Sequence, residues 1–225
     1  MAQEKNPLLL YFNGLGSGKP RVREELVLRS ARARGYRVEF RQTNWLTDRP
    51  FQEELANDIE FTRGLLGQTA KMVLVGSSAG VSRAINVFGG LAENDDLLGI
   101  VGLCGRTSVG SLRSRDWRTL DRATRLGHPG KEFPTFRDSV EHVSQTVSEL
   151  PPERVRDIVL FHHYGDEVVP HKTQTIEGAS NVQLWVPGHA MGILAAGVLL
   201  PGVIDRHFMQ PPEGSEGISR LRVGM

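Results

Sequence analysis

Three things are scarce in this sequence of 225 residues: cysteine, excess charge and long apolar runs. The one cysteine, Cys104, excludes an internal disulfide and favours a reducing compartment, so a cytoplasmic location is expected. A formal net charge of +1 gives no overall field that would attract nucleic acid or a membrane surface. The longest apolar stretches, such as Gly192 to Val203, are shorter than a bilayer span and contain glycine and proline. The short polar start, Met1 to Pro7, lacks the apolar segment of a secretory signal.

What is present is ordinary globular composition, with 39% hydrophobic and 24% charged residues, which is enough for one sizeable core. Six apolar or alternating runs have the character of strands, and helical periodicity lies between most of them. The six runs are Leu8–Phe12, Tyr36–Phe40, Met72–Val75, Leu98–Cys104, Ile158–Phe161 and Val182–Val186. This alternation predicts an α/β fold, with a mostly parallel six-stranded sheet and helices on both of its faces.

Two segments break the alternation of strand and helix. Residues 106–154 separate two predicted strands by more than one helix requires, which predicts a small lid-like insertion. Residues 211–225 are rich in proline, glycine and serine and are expected to form a flexible C-terminal tail. Residues 1–210 are therefore expected to form a single domain that contains the insertion.

A sharp turn is predicted at Gly76-Ser77-Ser78-Ala79-Gly80, which matches the pattern G-x-S-x-G. A buried strand runs directly into this turn and a helix leaves it, a context that raises a serine hydroxyl above the sheet edge as a nucleophile. The helix N-terminus beneath it would stabilise negative charge that develops on attack. From this motif alone, a plain strand-to-helix turn in which the serines only cap the helix remains the alternative.

The ends of two later strands supply the partners that a nucleophilic serine needs. Asp166 lies in a Gly-Asp turn after the strand that ends at Phe161, and His189 follows the strand that ends at Val186. Because the carboxyl ends of parallel strands meet at one edge of a sheet, Ser78, Asp166 and His189 are expected to lie together there. His189 would take the serine proton, while Asp166 would orient the imidazole and stabilise its cation.

Other reactive side chains near these positions fit the roles less well. Glu167 is adjacent to the predicted acid but is expected to point away, and Asp157 precedes its strand and so lies at the opposite edge. His162 and His163 end the strand before the acid; a structural role is favoured for them, and one of them lining the site is the alternative. Cys104 ends a buried strand beside the site and is expected to be a small core residue rather than a second nucleophile.

The first predicted strand runs into a glycine-rich loop, Phe12 to Lys19, for which three interpretations compete. A phosphate-binding loop requires glycine at Asn13 and serine or threonine at Pro20, so that interpretation fails. A dinucleotide fingerprint requires its third glycine at Lys19, and Gly18 is one place too early. A loop that donates backbone hydrogen bonds to a substrate is favoured over a plain turn.

Four turns of this chain resemble those of the α/β-hydrolase superfamily. They are the Asn-Gly-Leu-Gly loop after the first strand, the Gly-Ser-Ser-Ala-Gly elbow, the Gly-Asp-Glu-Val-Val-Pro acid turn and the Gly-His-Ala base turn. The resemblance extends over roughly Leu8 to His207 and implies a serine hydrolase that cleaves a carboxylic ester or related acyl bond through an acyl-enzyme intermediate. It implies a small-molecule acyl substrate, no cofactor and no metal, and an oxyanion hole formed by the backbone amides of Leu15 and Ala79.

The chain departs from the superfamily pattern in two respects. Its first buried strand begins at once, so the two leading strands of the superfamily are expected to be missing. Asn13 stands where many relatives have histidine, which leaves the backbone amides of the loop intact. A serine nucleophile also argues against those members of the superfamily that use aspartate, such as dehalogenases and epoxide hydrolases.

The predicted insertion bears on the choice of substrate. Its aromatic residues, Trp117, Phe133 and Phe136, either wall an acyl pocket or anchor the insertion to the domain, and the second interpretation is favoured. Between residues 106 and 131, seven basic residues face only two acidic ones, which fits a solvated surface better than a site for an anionic substrate or partner. Because the insertion is short, the site is expected to be open and to favour short acyl groups.

Two alternatives to a hydrolase remain open at this point. A non-catalytic binding module can use the same scaffold, since a fold does not fix a function, but it has no need for a complete set of serine, aspartate and histidine. Lyase, acyl-transfer or carbon–carbon cleavage chemistry can use the same three residues, and the sequence does not exclude it.

Overall fold

Six strands form the centre of the fold, as the sequence predicts. The structure, a computed structural model of the chain, describes residues 6–15, 22–45, 47, 49–108 and 134–210. The strands are β1 (Leu8–Phe12), β2 (Val38–Arg41), β3 (Met72–Ser77), β4 (Leu97–Leu103), β5 (Ile158–His163) and β6 (Ser180–Leu184). Their order in the sheet is β2-β1-β3-β4-β5-β6, and every neighbouring pair is parallel. The prediction of a six-stranded, mostly parallel sheet is confirmed.

Helices cover both faces of this sheet. They are α1 (Val22–Ala33), α2 (Phe51–Leu66), α3 (Gly80–Gly89), α4 (Pro134–Glu149), α5 (Pro152–Arg156) and α6 (His189–Val203). Side chains alternate across a strand, so Val73 and Val75 face α1 and α6, whereas Met72 and Leu74 face α2, α3 and α4. Both layers are almost fully buried, which explains why the central strands are continuous apolar runs.

The carboxyl ends of β3, β4 and β5 lie at one edge of the sheet. Ser77 of β3 pairs with Leu103 of β4, and Leu103 pairs with Phe161 of β5. The residues that follow these three strands therefore emerge side by side. The next residue after β3 is Ser78, and β5 continues as far as His163. This edge therefore collects the turns from which the predicted site residues project.

Helix α6 is apolar around its whole circumference. A π-helical turn, Ile204–Met209, continues it, and the two together have 21 residues and are mostly apolar. By length and composition this segment could cross a membrane. However, Ile193 and Leu200 are buried in the core below the sheet, and Gly197 lies against Val27 of α1. Its position is that of a core helix.

The predicted insertion is described only in part. Residues 109–133, which include Trp117 and Phe133, lie outside the described residues, and so does the predicted tail, 211–225. The remainder of the insertion forms α4 and α5, and α4 packs against α2 and α3. The expectations of a lid and of a flexible tail therefore stay predictions.

Candidate active site

Ser78 occupies a strained turn between β3 and α3. Its φ is 51°, in the left-handed region that non-glycine residues rarely adopt. The flanking glycines permit the turn: a Cβ at Gly76 would lie 2.6 Å from the Cα of Val81, and a Cβ at Gly80 would collide with the carbonyl oxygen of Phe12. The strand-elbow-helix context predicted from the sequence is thus present, with the serine side chain partly exposed at the sheet edge.

His189 contacts both of the other residues predicted for the site. Its Nε2 lies 2.9 Å from Ser78 Oγ, and its Nδ1 lies 2.7 Å from Asp166 Oδ2. It is the first residue of α6, and Gly188 before it has a φ of 76°, which turns the chain from β6 into the helix. The structure therefore brings together three side chains that lie 111 and 23 residues apart in the sequence.

Asp166 is held in one orientation by three hydrogen-bonding neighbours. Its Oδ1 accepts hydrogen bonds from the amides of Val168 and Val169, at 2.9 and 2.7 Å, while Oδ2 faces His189. Burial alone would raise the pKa of this carboxyl, but the hydrogen bond and charge of His189, with the two amides, outweigh burial and lower the pKa. An ionised carboxylate only accepts, so His189 Nδ1 carries the proton and Nε2 is left to accept from Ser78.

A second histidine, His163, lies near the same carboxylate oxygen of Asp166 as His189 does. It is fully buried, and its Nε2 is 3.2 Å from Asp166 Oδ2, although neither ring nitrogen is aligned for a hydrogen bond within the described residues. A Cβ at Gly192 would lie only 2.7 Å from the His163 ring and 2.8 Å from Cys104 Sγ. The glycine one turn after His189 thus lets α6 approach β5 closely. The sequence left open that one of the two histidines at the end of β5 lies at the site, and His163 is the one that contacts Asp166.

Cys104 is buried beside this cluster, as the sequence predicts. Burial and the negative charge of Asp166 raise the pKa of its thiol well above the ordinary range. The thiol therefore stays protonated at neutral pH and is not a competing nucleophile.

Glu167 does not point away from the site, so that expectation was wrong. Its Oε2 accepts a hydrogen bond of 2.9 Å from the backbone amide of His189, the first residue of α6. The amides of a first helical turn have no partner inside the helix, and a carboxylate there also interacts favourably with the helix dipole. Glu167 therefore holds the backbone from which the His189 ring projects.

His162 has the structural role that the sequence favours. Its Nδ1 lies 3.0 Å from His171 Nε2, and Tyr164 stacks on the His171 ring with centroids 4.2 Å apart. Burial, and then the neighbouring rings of His171 and His163, lower the pKa of His162 to about 4. The neutral pair joins β5 to the short 3₁₀ helix His171–Thr173 and so closes the loop that carries Asp166.

The loop after β1 packs directly against the elbow. A Cβ at Gly14 would lie 3.1 Å from the Cβ of Ser78, and the side chain of Leu15 packs against a cluster that contains Ala79. The amide of Gly14 donates a hydrogen bond of 3.0 Å to Glu24 Oε1, so it is not available to bind a substrate oxygen. The resemblance suggests the amides of Leu15 and Ala79 for an oxyanion hole. Leu15 follows Gly14, which lies against Ser78, and Ala79 follows Ser78 in the chain, so both residues are near the elbow, and that role remains a proposal.

Comparisons with known proteins agree on the fold. No protein-family model and no curated protein sequence matches the chain. Among solved structures, it is similar to the mouse alpha/beta hydrolase domain-containing protein 10, with a TM-score of 0.60, 13% identity and 90% of each chain covered. It is also similar to Est1E from Butyrivibrio proteoclasticus (TM-score 0.59, 14% identity, 90% of each chain). A hydrolase from Oleispira antarctica gives a TM-score of 0.59 at 13% identity over 92% of each chain. This chain has the α/β-hydrolase fold.

Proposed function

We propose that this chain, which has the α/β-hydrolase fold, is a serine hydrolase that cleaves a carboxylic ester or related acyl bond. Ser78 is the nucleophile, His189 the base and Asp166 the acid of a Ser-His-Asp triad. The observation that carries the proposal is the placement of His189, whose two ring nitrogens lie 2.9 Å from the serine oxygen and 2.7 Å from the carboxylate. Three dispersed residues meet at an elbow whose flanking glycines leave no room for a side chain.

Each step of the reaction follows from these contacts. Ser78 Oγ attacks the acyl carbon while His189 Nε2 takes its proton, and the carbonyl oxygen becomes an oxyanion held by the amides of Leu15 and Ala79. His189 then returns the proton to the leaving alcohol, and an acyl-serine remains. Water attacks this ester with His189 again as base, and the acid product and the free serine are released. Asp166 stays ionised throughout and stabilises the imidazolium.

The first test is covalent labelling by a fluorophosphonate, which phosphonylates an activated serine with loss of fluoride. We expect one adduct, on Ser78, because the His189 ring contacts that serine at the elbow. Mass spectrometry identifies the labelled residue. The Ser148→Ala variant, which changes an exposed serine on α4, is the matched control for Ser78→Ala and should still be labelled. An adduct on Ser77, or no adduct on the folded protein, would contradict the proposal.

The second test concerns the length of the acyl group. Trp45 and Phe136 pack edge-on with their ring centroids 5.5 Å apart, and both are buried in a cluster with Ala79, directly after the proposed nucleophile. Among the described residues these two rings occupy space beside Ala79, so we do not expect a long acyl chain to bind on that side of the proposed nucleophile. We expect kcat/KM to be higher for p-nitrophenyl acetate and butyrate than for the decanoate by about tenfold, a change typical of one poorly accommodated group. A sharp rate increase above the solubility limit of a long-chain ester would contradict this prediction.

A further inference from the structure

Glu24 is a buried carboxylate that touches both segments proposed to form the oxyanion hole. It lies in the first turn of α1 and is 3% exposed. Its Oε1 accepts a hydrogen bond of 3.0 Å from the amide of Gly14, in the loop after β1, and another of 3.0 Å from the hydroxyl of Ser77, in the elbow. One oxygen atom therefore joins the residue before Leu15 to the residue before Ser78.

Asn13 fixes the same part of the loop from the other side of the Gly14 residue's backbone, through its carbonyl oxygen and not its amide. Its Oδ1 accepts the amide of Thr43 at 2.7 Å, and its Nδ2 donates to the carbonyl oxygen of Gly14 at 2.8 Å. That carbonyl and the N–H of Leu15 belong to one planar trans peptide unit, so they point in opposite directions. A hydrogen bond that fixes the Gly14 carbonyl therefore also fixes the direction of the Leu15 N–H.

We propose that Glu24 and Asn13 are positioning residues that set the direction of the Leu15 amide and its distance from the Ala79 amide. This inference rests on the proposed function. The two amides belong to different elements, the loop after β1 and the elbow after β3, and Glu24 joins these elements through Gly14 and Ser77. Amides that already point at the position of the oxyanion need no reorganisation when its charge develops. Their alignment therefore affects the free energy of the transition state more than that of substrate binding.

Three variants separate this role from general support of the fold. Glu24→Met keeps a similar length but removes the acceptor, whereas Glu24→Gln keeps an oxygen that can accept both bonds. Asn13→Asp keeps the acceptor for Thr43 but removes the donor to the Gly14 carbonyl. We expect Glu24→Met and Asn13→Asp to lower kcat by about 10- to 100-fold, a part of the loss known for deleting one oxyanion donor, with KM changed less than about threefold. Glu24→Gln should restore kcat to within about fivefold of the unaltered chain.

Affinity for a trifluoromethyl ketone gives the specific readout, because its adduct with Ser78 places an oxyanion in the hole. The loss of inhibitor affinity should match the loss of kcat/KM in each variant, while thermal unfolding controls for folding. If Glu24→Met does not fold, Asn13→Asp and Ser77→Ala decide the question, since neither adds volume. Wild-type kcat and inhibitor affinity in Asn13→Asp and Glu24→Met, or in Asn13→Asp and Ser77→Ala, would overturn the inference. If the unaltered chain neither cleaves esters nor reacts with fluorophosphonate, the proposed function itself fails.

Discussion

Replacing Ser78 with alanine is expected to lower kcat for an activated ester by on the order of 10⁶-fold, as for other triads that act as a unit. The same loss is expected for His189→Ala, because the serine hydroxyl has no other base within hydrogen-bonding distance among the described residues. Since each change disables the same proton transfer, the double variant should be little worse than either single one. The measurement is kcat/KM on one p-nitrophenyl ester.

Matched controls exist for both substitutions. His207→Ala changes a histidine that contacts the backbone of Arg156, at the other end of β5, and should retain activity. Ser148→Ala changes an exposed serine whose hydroxyl donates to the carbonyl oxygen of Gln145 within α4, and it should also retain activity. Circular dichroism should show an intact fold in all of these variants, because Ser78 lies at the sheet edge. If His189→Ala kept most of its activity, the triad assignment would be wrong, and a binding module on this scaffold would be the better interpretation.

Asp166→Asn is expected to reduce kcat by about 10⁴-fold while leaving the fold intact. The hydrogen bonds around the acid determine which way the new amide must face. In the aspartate, Oδ1 accepts hydrogen bonds from the backbone amides of Val168 and Val169. The carbonyl oxygen of asparagine is therefore expected at that position, and its NH₂ group then faces His189 Nδ1. The ring must then accept at Nδ1 and carry its proton on Nε2, where it cannot take the proton of Ser78.

Two further substitutions test this explanation. Asp157→Asn makes the same chemical change just before β5, at the opposite edge of the sheet, and should affect stability but not kcat. Glu167→Gln should be mild, since an amide oxygen can still accept the hydrogen bond from the His189 backbone. An active Asp166→Asn together with an inactive Glu167→Gln would show that the acid had been assigned one residue too early.

Local patterns were enough to predict the sheet and the three side chains that meet at its edge. Each central strand is an apolar run that ends in glycine or a polar turn, because it is buried on both faces and its end is exposed. The elbow could be recognised because the pattern G-x-S-x-G lies directly between an apolar strand and a helix. Gly76 is required by contacts within the turn, whereas Gly80 is required by the carbonyl oxygen of Phe12 on the neighbouring strand. Parallel pairing then required the residues after β3, β5 and β6 to emerge at the same edge.

The supporting contacts could not be predicted, because they join residues far apart in the chain. Glu167 caps a helix that begins 22 residues later, whereas capping signals in a sequence are sought within a few residues of the helix start. Glu24 accepts a hydrogen bond from the hydroxyl of Ser77, which is 53 residues away in the sequence. The close approach of α6 to His163 does have a sequence signal, since Gly192 stands in an apolar helix where a side chain would collide with the histidine.

The entirely parallel sheet has a consequence for how the protein acquires activity during folding. No two neighbouring strands are joined by a hairpin, so each pairing must wait for a crossover to close, and contacts of this long range slow folding. The proposed nucleophile, base and acid lie after three different strands, and a fragment that contains only β1 to β4 includes Ser78 but lacks Asp166 and His189. If the proposed function holds, Ser78 is therefore expected to react with a fluorophosphonate only after β5 and β6 have joined the sheet, and partly folded intermediates are expected not to react.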